Sequence, residues 1–378
     1  VKGYNPYPIY DLKNGRVTAR KPWLLPYDAY KETLNAYVER GVLKKRRGYE
    51  EFGRIVAFVD DEAVGTGDGE TKTFAITLTK TPIQDIVLVT DGVESFTDNG
   101  DGTLTGDAGG VGTINLTGGT LSVTFHTAPT LSAEITADYN YYPGLPCMGI
   151  FEHFTGTDRK VVVFDTKRMN QYNASTSLLE DKTLSDTWTG GDDKFFHCCS
   201  ATDNKLYITN GTNQIRTWDG STLSALVIDY TGGSSNKVDT CKMIFEYHGH
   251  IVILYPTEDG VAKPRRWRSS EAGTYTSWPS YCWGDAPTPD DIMGAQMIGN
   301  DLYVWFKESL WKLVYTGIYT SPFEWERITA EDGLYAQFSL LTVGGKSYGM
   351  SKSSILATDG IRLVPADDSI PDSIISDF

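Results

Sequence analysis

The groups in this chain that could do chemistry are five histidines, five cysteines and a scatter of acidic doublets. His248 and His250 lie two apart, a spacing that puts both rings on one face of a strand, where a metal would need them. No acidic or cysteine ligand follows at a matched distance, so a turn or strand edge is the expected setting. His126, His153 and His197 stand alone. Cys198 and Cys199 follow His197, but neighbouring strand residues point to opposite faces, so the pair is expected as buried thiols rather than a chelate. With Cys147, Cys241 and Cys282 the cysteine number is odd and no CxxC occurs. Reduced thiols are expected, without a disulfide framework or a zinc site.

The run DNGDGTLTGDAG at 98–109 has the look of a calcium loop. With Gly102 as the sixth position, the first is Thr97 and the twelfth is Ala108, so both obligatory carboxylates are missing. A glycine-rich hairpin turn is expected instead. The doublets Asp60-Asp61, Asp192-Asp193, Asp290-Asp291 and Asp367-Asp368 fall in turn-like runs. A glycosidase needs two carboxylates that converge in space, which such doublets alone do not supply. No G-x-S-x-G, HExxH, Walker or Rossmann pattern occurs. The sequons at Asn115, Asn173 and Asn210 matter only in a secreted eukaryotic protein. The expectation is a protein without catalytic residues, metal or cofactor.

The elements that would position any site read as strands. The chain has 378 residues, enough for two or three domains. Tyr 22, Phe 15 and Trp 9 suit pleated surfaces and Gly 38 suits turns, so the class is all-β. Residues 1–33 carry Pro6, Pro8, Pro22 and Pro26 and predict an extended N-terminal arm. Residues 36–46 predict a hairpin turning at Arg40-Gly41. Residues 59–142 change rhythm to short alternating strands between Gly/Asp/Asn turns, the signature of an inserted β-sandwich. Residues 34–58 and 143–378 form the body. There Val161, Leu206, Ile251, Leu302 and Ser347 align at steps of 45, 45, 51 and 45 residues. That period matches propeller blades, which cannot bury both faces alone and must stack around an axis. The expected architecture is a β-propeller-like body, with a β-solenoid as the competitor. The aromatic run from Phe323 to Ile328 is expected to pack a blade, although exposed aromatics of this kind also bind glycans.

Charge is partitioned. Residues 1–58 hold 12 basic against 6 acidic residues, 59–142 hold 2 against 13, and 143–378 hold 20 against 30. A basic segment precedes two acidic bodies, which argues against general DNA binding but suits a wall past which DNA must slide. Trp23, Lys44, Lys45, Arg46 and Arg47 are the candidates for contact with a neighbouring subunit. Asp192, Asp193, Asp290, Asp291, Asp367 and Asp368 are the candidates for lining a channel. No apolar run approaches the roughly 18 residues of a membrane span. The sequence opens on Val1 and stops at Phe378 inside what reads as another unit, so a longer parent chain is expected.

The segments RGVLKKRRGYEEFG, MGIFEHFTGTDRKVVVFDTKRMNQYN, LYITNGTNQIRTWDG, LYVWFKESLWKLVYTG with FEWERIT, and ILATDGIRLV resemble tail tube or nozzle (tail hub) proteins of short-tailed bacteriophages. GTGDGETKTF and FTDNGDGTLTG resemble a β-sandwich inserted into various phage structural proteins. The resemblance implies a propeller-like core, a ring of copies (often six) below the portal and adaptor, and conduction of DNA. It implies residence in the virion tail after assembly in the bacterial cytoplasm. The large acidic insertion departs from the pattern and leaves the place along the tail open. Two rivals stand beside this expectation: a receptor- or glycan-binding tail module, and a propeller glycosidase or depolymerase.

Overall fold

The computed structural model describes residues 52–366 except 157, 184–187, 331 and 353, together with the strand backbones 15–16, 29–30, 36–39 and 42–45. Two compact units divide the chain, one of Val1–Phe52 with Asp367–Phe378 and one of Gly53–Ala366. In the first, Ala36–Glu39 pairs antiparallel with Val42–Lys45, placing Glu39 opposite Val42 around Arg40-Gly41. Gly15–Arg16 pairs in parallel with Ala29–Tyr30.

The second unit is all-β, with no helix among its described residues. Five antiparallel sheets follow one another along the chain, a five-bladed propeller. Their inner strands are Gly149–Thr155, His197–Ser200, Val238–Tyr247, Ile292–Ile298 and Leu341–Val343. Each blade then steps outward to its fourth strand, ending with Asp181, Ala225, Asp285, Thr329 and Pro365. Arg54–Ile55 adds to the first blade by pairing in parallel with Leu178–Asp181, and among the described residues it is the part of 34–58 that joins a blade. The five repeat residues fall on the second strands Asp158–Phe164, Leu206–Thr209, His250–Glu258, Asp301–Phe306 and Lys346–Met350. The period therefore marks one blade per repeat.

The second strands of the middle three blades explain why neighbouring blades stack. Side chains alternate between the two faces of a strand, and in these three both faces pack against an adjoining blade. Leu206 and Ile208 pack toward the first blade with Phe164, Trp188 and Trp218, while Tyr207 packs toward the third. Ile251 and Ile253 join the second–third seam, while Val252 and Leu254 join the third–fourth seam. Leu302, Val304 and Phe306 face the third blade, while Tyr303 and Trp305 face the fifth. Each fully buried aliphatic or aromatic side chain contributes about 1.5–3 kcal/mol. The same alternation separates Cys198, in the first–second seam, from Cys199, in the second–third seam. All five cysteines are free.

The insertion is one continuous eight-stranded sheet running from Ala57–Thr66 through Glu134–Tyr141 to Thr73–Thr77 at the far edge. It folds over a single core that includes Val89, Phe96, Phe125, Ile135 and Tyr139, so its halves face each other as in a sandwich. Its edges meet where Phe74 crosses Gly65, and a Cβ at Gly65 would lie 2.8 Å from the Phe74 ring. Buried Glu94 ties the interior by accepting from the backbone N–H of Gly110 at 2.6 Å and of His126 at 2.8 Å. The 98–109 run forms a hairpin turn, with Gly100 and Gly102 at positive φ. Asp98 and Asp101 accept from the N–H groups of Gly100 and Thr103, so the carboxylates shape the turn.

Because Ala57 lies opposite Tyr141, the insertion leaves and returns at one point. Replacing 57–141 with a short Gly-Ser linker is expected to leave the blade unfolding transition in place by circular dichroism. Loss of that transition would mean the insertion supports the blades. Leu254→Ala is expected to cost about 2–5 kcal/mol in urea denaturation, from lost transfer energy and the cavity left behind. A change below 1 kcal/mol would place Leu254 outside a tight seam.

Candidate functional site

The five inner strands enclose an axial chamber of about 400 Å³. Its wall takes Met148 and Phe151 from the first blade, Met243 and Phe245 from the third, Met297 from the fourth and Leu340 before the fifth. Polar groups are few: His197, Lys242, Gln296, Gln337 and Thr342, with no Asp or Glu on the wall. Burial pulls the His197 ring down to about 4, so it is neutral at physiological pH, and Nδ1 accepts from the Ile244 N–H at 3.3 Å. A neutral histidine without a carboxylate partner lacks the orienting group of an acid–base pair.

A second hollow of about 290 Å³ opens at one mouth of the chamber, lined by Asp193, Lys194, Asn210, Thr240, Lys242 and Phe338 among others. Lys242 borders both spaces. Its Nζ donates to the Ile292 carbonyl at 2.8 Å and stands 5.1 Å from the centre of the Tyr255 ring. Tyr255 has φ +54, a left-handed conformation that a bulky side chain adopts only under strain. Burial lowers the Lys242 amine to about 8, against the opposing pull of Asp291. Phe195, entering the second blade, meets Phe338, entering the fifth, with ring centroids 4.5 Å apart. Two chain segments from opposite sides of the ring thus touch over the mouth.

The inner strands all start on this face, so the acidic doublets that precede two of them arrive there together. Asp193 lines the mouth and pairs with Lys194 at 3.0 Å. Asp192 beside it is exposed. Asp291 is exposed, and its charge acts on Lys242. Asp290 instead accepts from Thr288 Oγ1 at 3.1 Å and Ser309 Oγ at 3.3 Å, capping a turn. Asp367 and Asp368 lie outside the described residues, as do Trp23, Arg46 and Arg47. Lys44 and Lys45 lie on the described hairpin backbone, opposite Tyr37 and Ala36.

The two histidines are separated by a turn rather than sharing a strand face. His248 sits at φ +50 in the hairpin and stacks on Tyr315, with centroids 4.3 Å apart and planes 9° apart. His250 is buried and bonded to the Ser270 carbonyl. Among the described residues, the group whose carboxylates converge is Asp60, Asp61 and Asp138, on the insertion. Asp61 N–H already donates to Asp138 at 2.8 Å, a cross-strand contact where the register between Ala57–Thr66 and Glu134–Tyr141 shifts. Sequence reasoning passed over Lys242, Phe195 and Phe338. A lysine inside the apolar strand run VDTCKMIFEY was the available signal for the first.

No family model matches this chain, and no curated protein matches it. Among solved structures it is similar to the N-terminal domain of Nup159, at 13% identity and TM-score 0.34, over 83% of this chain and 82% of that one. It is similar to YCF48 bound to a D1 peptide, at 11% identity and TM-score 0.38, over 81% and 87%. It is also similar to a gluconolactonase of Xanthomonas campestris, at 13% identity and TM-score 0.39, over 59% and 77%. The five-blade assignment stands on the sheet order and seams described above.

Burial disfavours the Lys242 ammonium, so its amine is expected to deprotonate near pH 8, well below a solvated lysine. Acylation by a small amine-reactive ester, mapped by mass spectrometry from pH 6 to 11, should rise at Lys242 with a midpoint near 8. A midpoint above 10 would place the amine in water.

Proposed function

We propose that this chain is a structural subunit of a bacteriophage tail, whose copies form a ring around a DNA passage, and that it acts without chemistry of its own. The partition of charge carries the reading. A basic segment, with Lys44 to Arg47 as its densest run, precedes acidic bodies on the same chain. Such a chain is complementary to the next copy of itself, head to tail, and a closed rotation of that contact makes a ring. The resemblance of its strand segments to tail tube and nozzle proteins supports the same reading, with the portal or adaptor and other tail proteins as further partners.

The propeller axis is not the passage in this account. A chamber of about 400 Å³ has the volume of a small-molecule pocket and is walled by Phe and Met. DNA would instead pass between copies, along acidic surfaces. Each Lys or Arg contact to phosphate adds affinity that stalls movement, whereas acidic walls repel over a screening length of about 8–10 Å. Asp192, Asp193 and Asp291 supply such charge on the face that carries the insertion. The seams between blades supply stiffness.

Negative-stain electron microscopy of the purified protein is expected to show rings with an opening between copies. Charge reversal of Lys44, Lys45, Arg46 and Arg47 to Glu should return them to monomers with an unchanged melting temperature. A monomer under all salt conditions, or rings indifferent to charge reversal, would contradict the proposal.

A further inference from the structure

Opposite the Asp-bearing face, a cleft of about 270 Å³ opens between the third and fourth blades. His250, Glu271, Cys282, Tyr315 and Tyr319 line it, and among the described residues no lysine or arginine does. Three features give it chemistry. First, His250 is only 6% exposed, and its Nδ1 lies 2.7 Å from the Ser270 carbonyl. A carbonyl only accepts, so in the neutral ring Nδ1 carries the hydrogen and Nε2 remains an acceptor. Second, Glu271 accepts from the Tyr319 hydroxyl at 2.5 Å, and hydrogen bonds from Tyr319 and Ser277 hold its carboxyl below the ordinary range. Third, aromatic surface is left open. Tyr315 is 39% exposed and Tyr319 67% exposed, with Tyr281 beside Tyr319 at a centroid distance of 5.6 Å.

We infer that this cleft is a binding subsite for an uncharged saccharide ring. Acceptors without cations suit a ligand rich in hydroxyl donors, and Glu271 would repel uronates, sialic acids and phosphates. The C–H face of a hexose can lie on the tyrosine rings while its hydroxyls reach Glu271 and His250. An organic cation would suit the same charge, but it favours rings on several sides. Here one face of Tyr315 is already covered by His248 in a nearly parallel stack, which leaves a platform rather than a cage. Cys282 has no part in bond making, because burial pushes its thiol up to about 11. The inference does not depend on whether copies of the chain form a ring.

Saturation-transfer NMR on the full chain tests it, with methyl glycosides of glucose, galactose and mannose as probes and with sialyllactose, choline and arginine methyl ester as comparisons. At least one neutral glycoside should receive saturation, and sialyllactose should not through its sialic acid. Tyr319→Ala alters an exposed group and Glu271→Gln is isosteric at a half-buried one, so both variants should keep the wild-type melting temperature while weakening binding about tenfold. The inference is overturned if no neutral glycoside receives saturation, if binding survives both substitutions, or if choline or arginine methyl ester binds in place of the sugars.

Discussion

A four-stranded blade with apolar residues on both faces cannot exist alone in water, and the rest of this molecule follows from that constraint. Leu206-Tyr207-Ile208, Ile251 to Leu254 and Leu302 to Phe306 are dry on both sides because each strand lies between two seams. Burying both faces forces the blades to stack, and their shared twist turns the stack about an axis. The inner strands then converge on the axis, and their side chains line the chamber there. Chamber, mouth and outer clefts are all by-products of where neighbouring blades meet.

The same geometry sorts the molecule into two faces with different chemistry. Chain segments entering inner strands bring Asp193, Asp291, Lys194 and Lys242 to one face, together with the connections to the insertion. The hairpin after the third inner strand brings His248 to the other, and the outer hairpin of the fourth blade brings Tyr315 and Tyr319 there.

Much of this was legible from strand patterning. The 45-residue step located the second strand of every blade, because an interior strand is the most apolar stretch of its repeat and is least free to drift. The change of rhythm near residue 59 was legible too, since a strand-and-turn domain with 13 acidic residues has a different composition from its surroundings. Sites were harder to read. Phe195 and Phe338 are 143 positions apart in sequence and meet through the curvature of the ring. The missing third ligand near His248 and His250 pointed to a turn or strand edge, and Gly249 turns the chain between them. Asp290 and Asp291 look alike in sequence, yet one caps a turn and its neighbour is exposed with its charge acting on Lys242. Such differences depend on local φ and on partners from other blades.

Closure of the five blades into one ring is the claim on which the rest depends, and the Phe195–Phe338 contact reports it directly. Cysteines placed at 195 and 338, in a background with Cys147→Ser, can be joined with a short bis-maleimide and the products mapped by mass spectrometry. The account predicts an intramolecular cross-link in the folded chain that is lost in urea. If dilute protein yields no link between 195 and 338, or only links between separate molecules, the second and fifth blades do not meet over one axis and the ring is wrong.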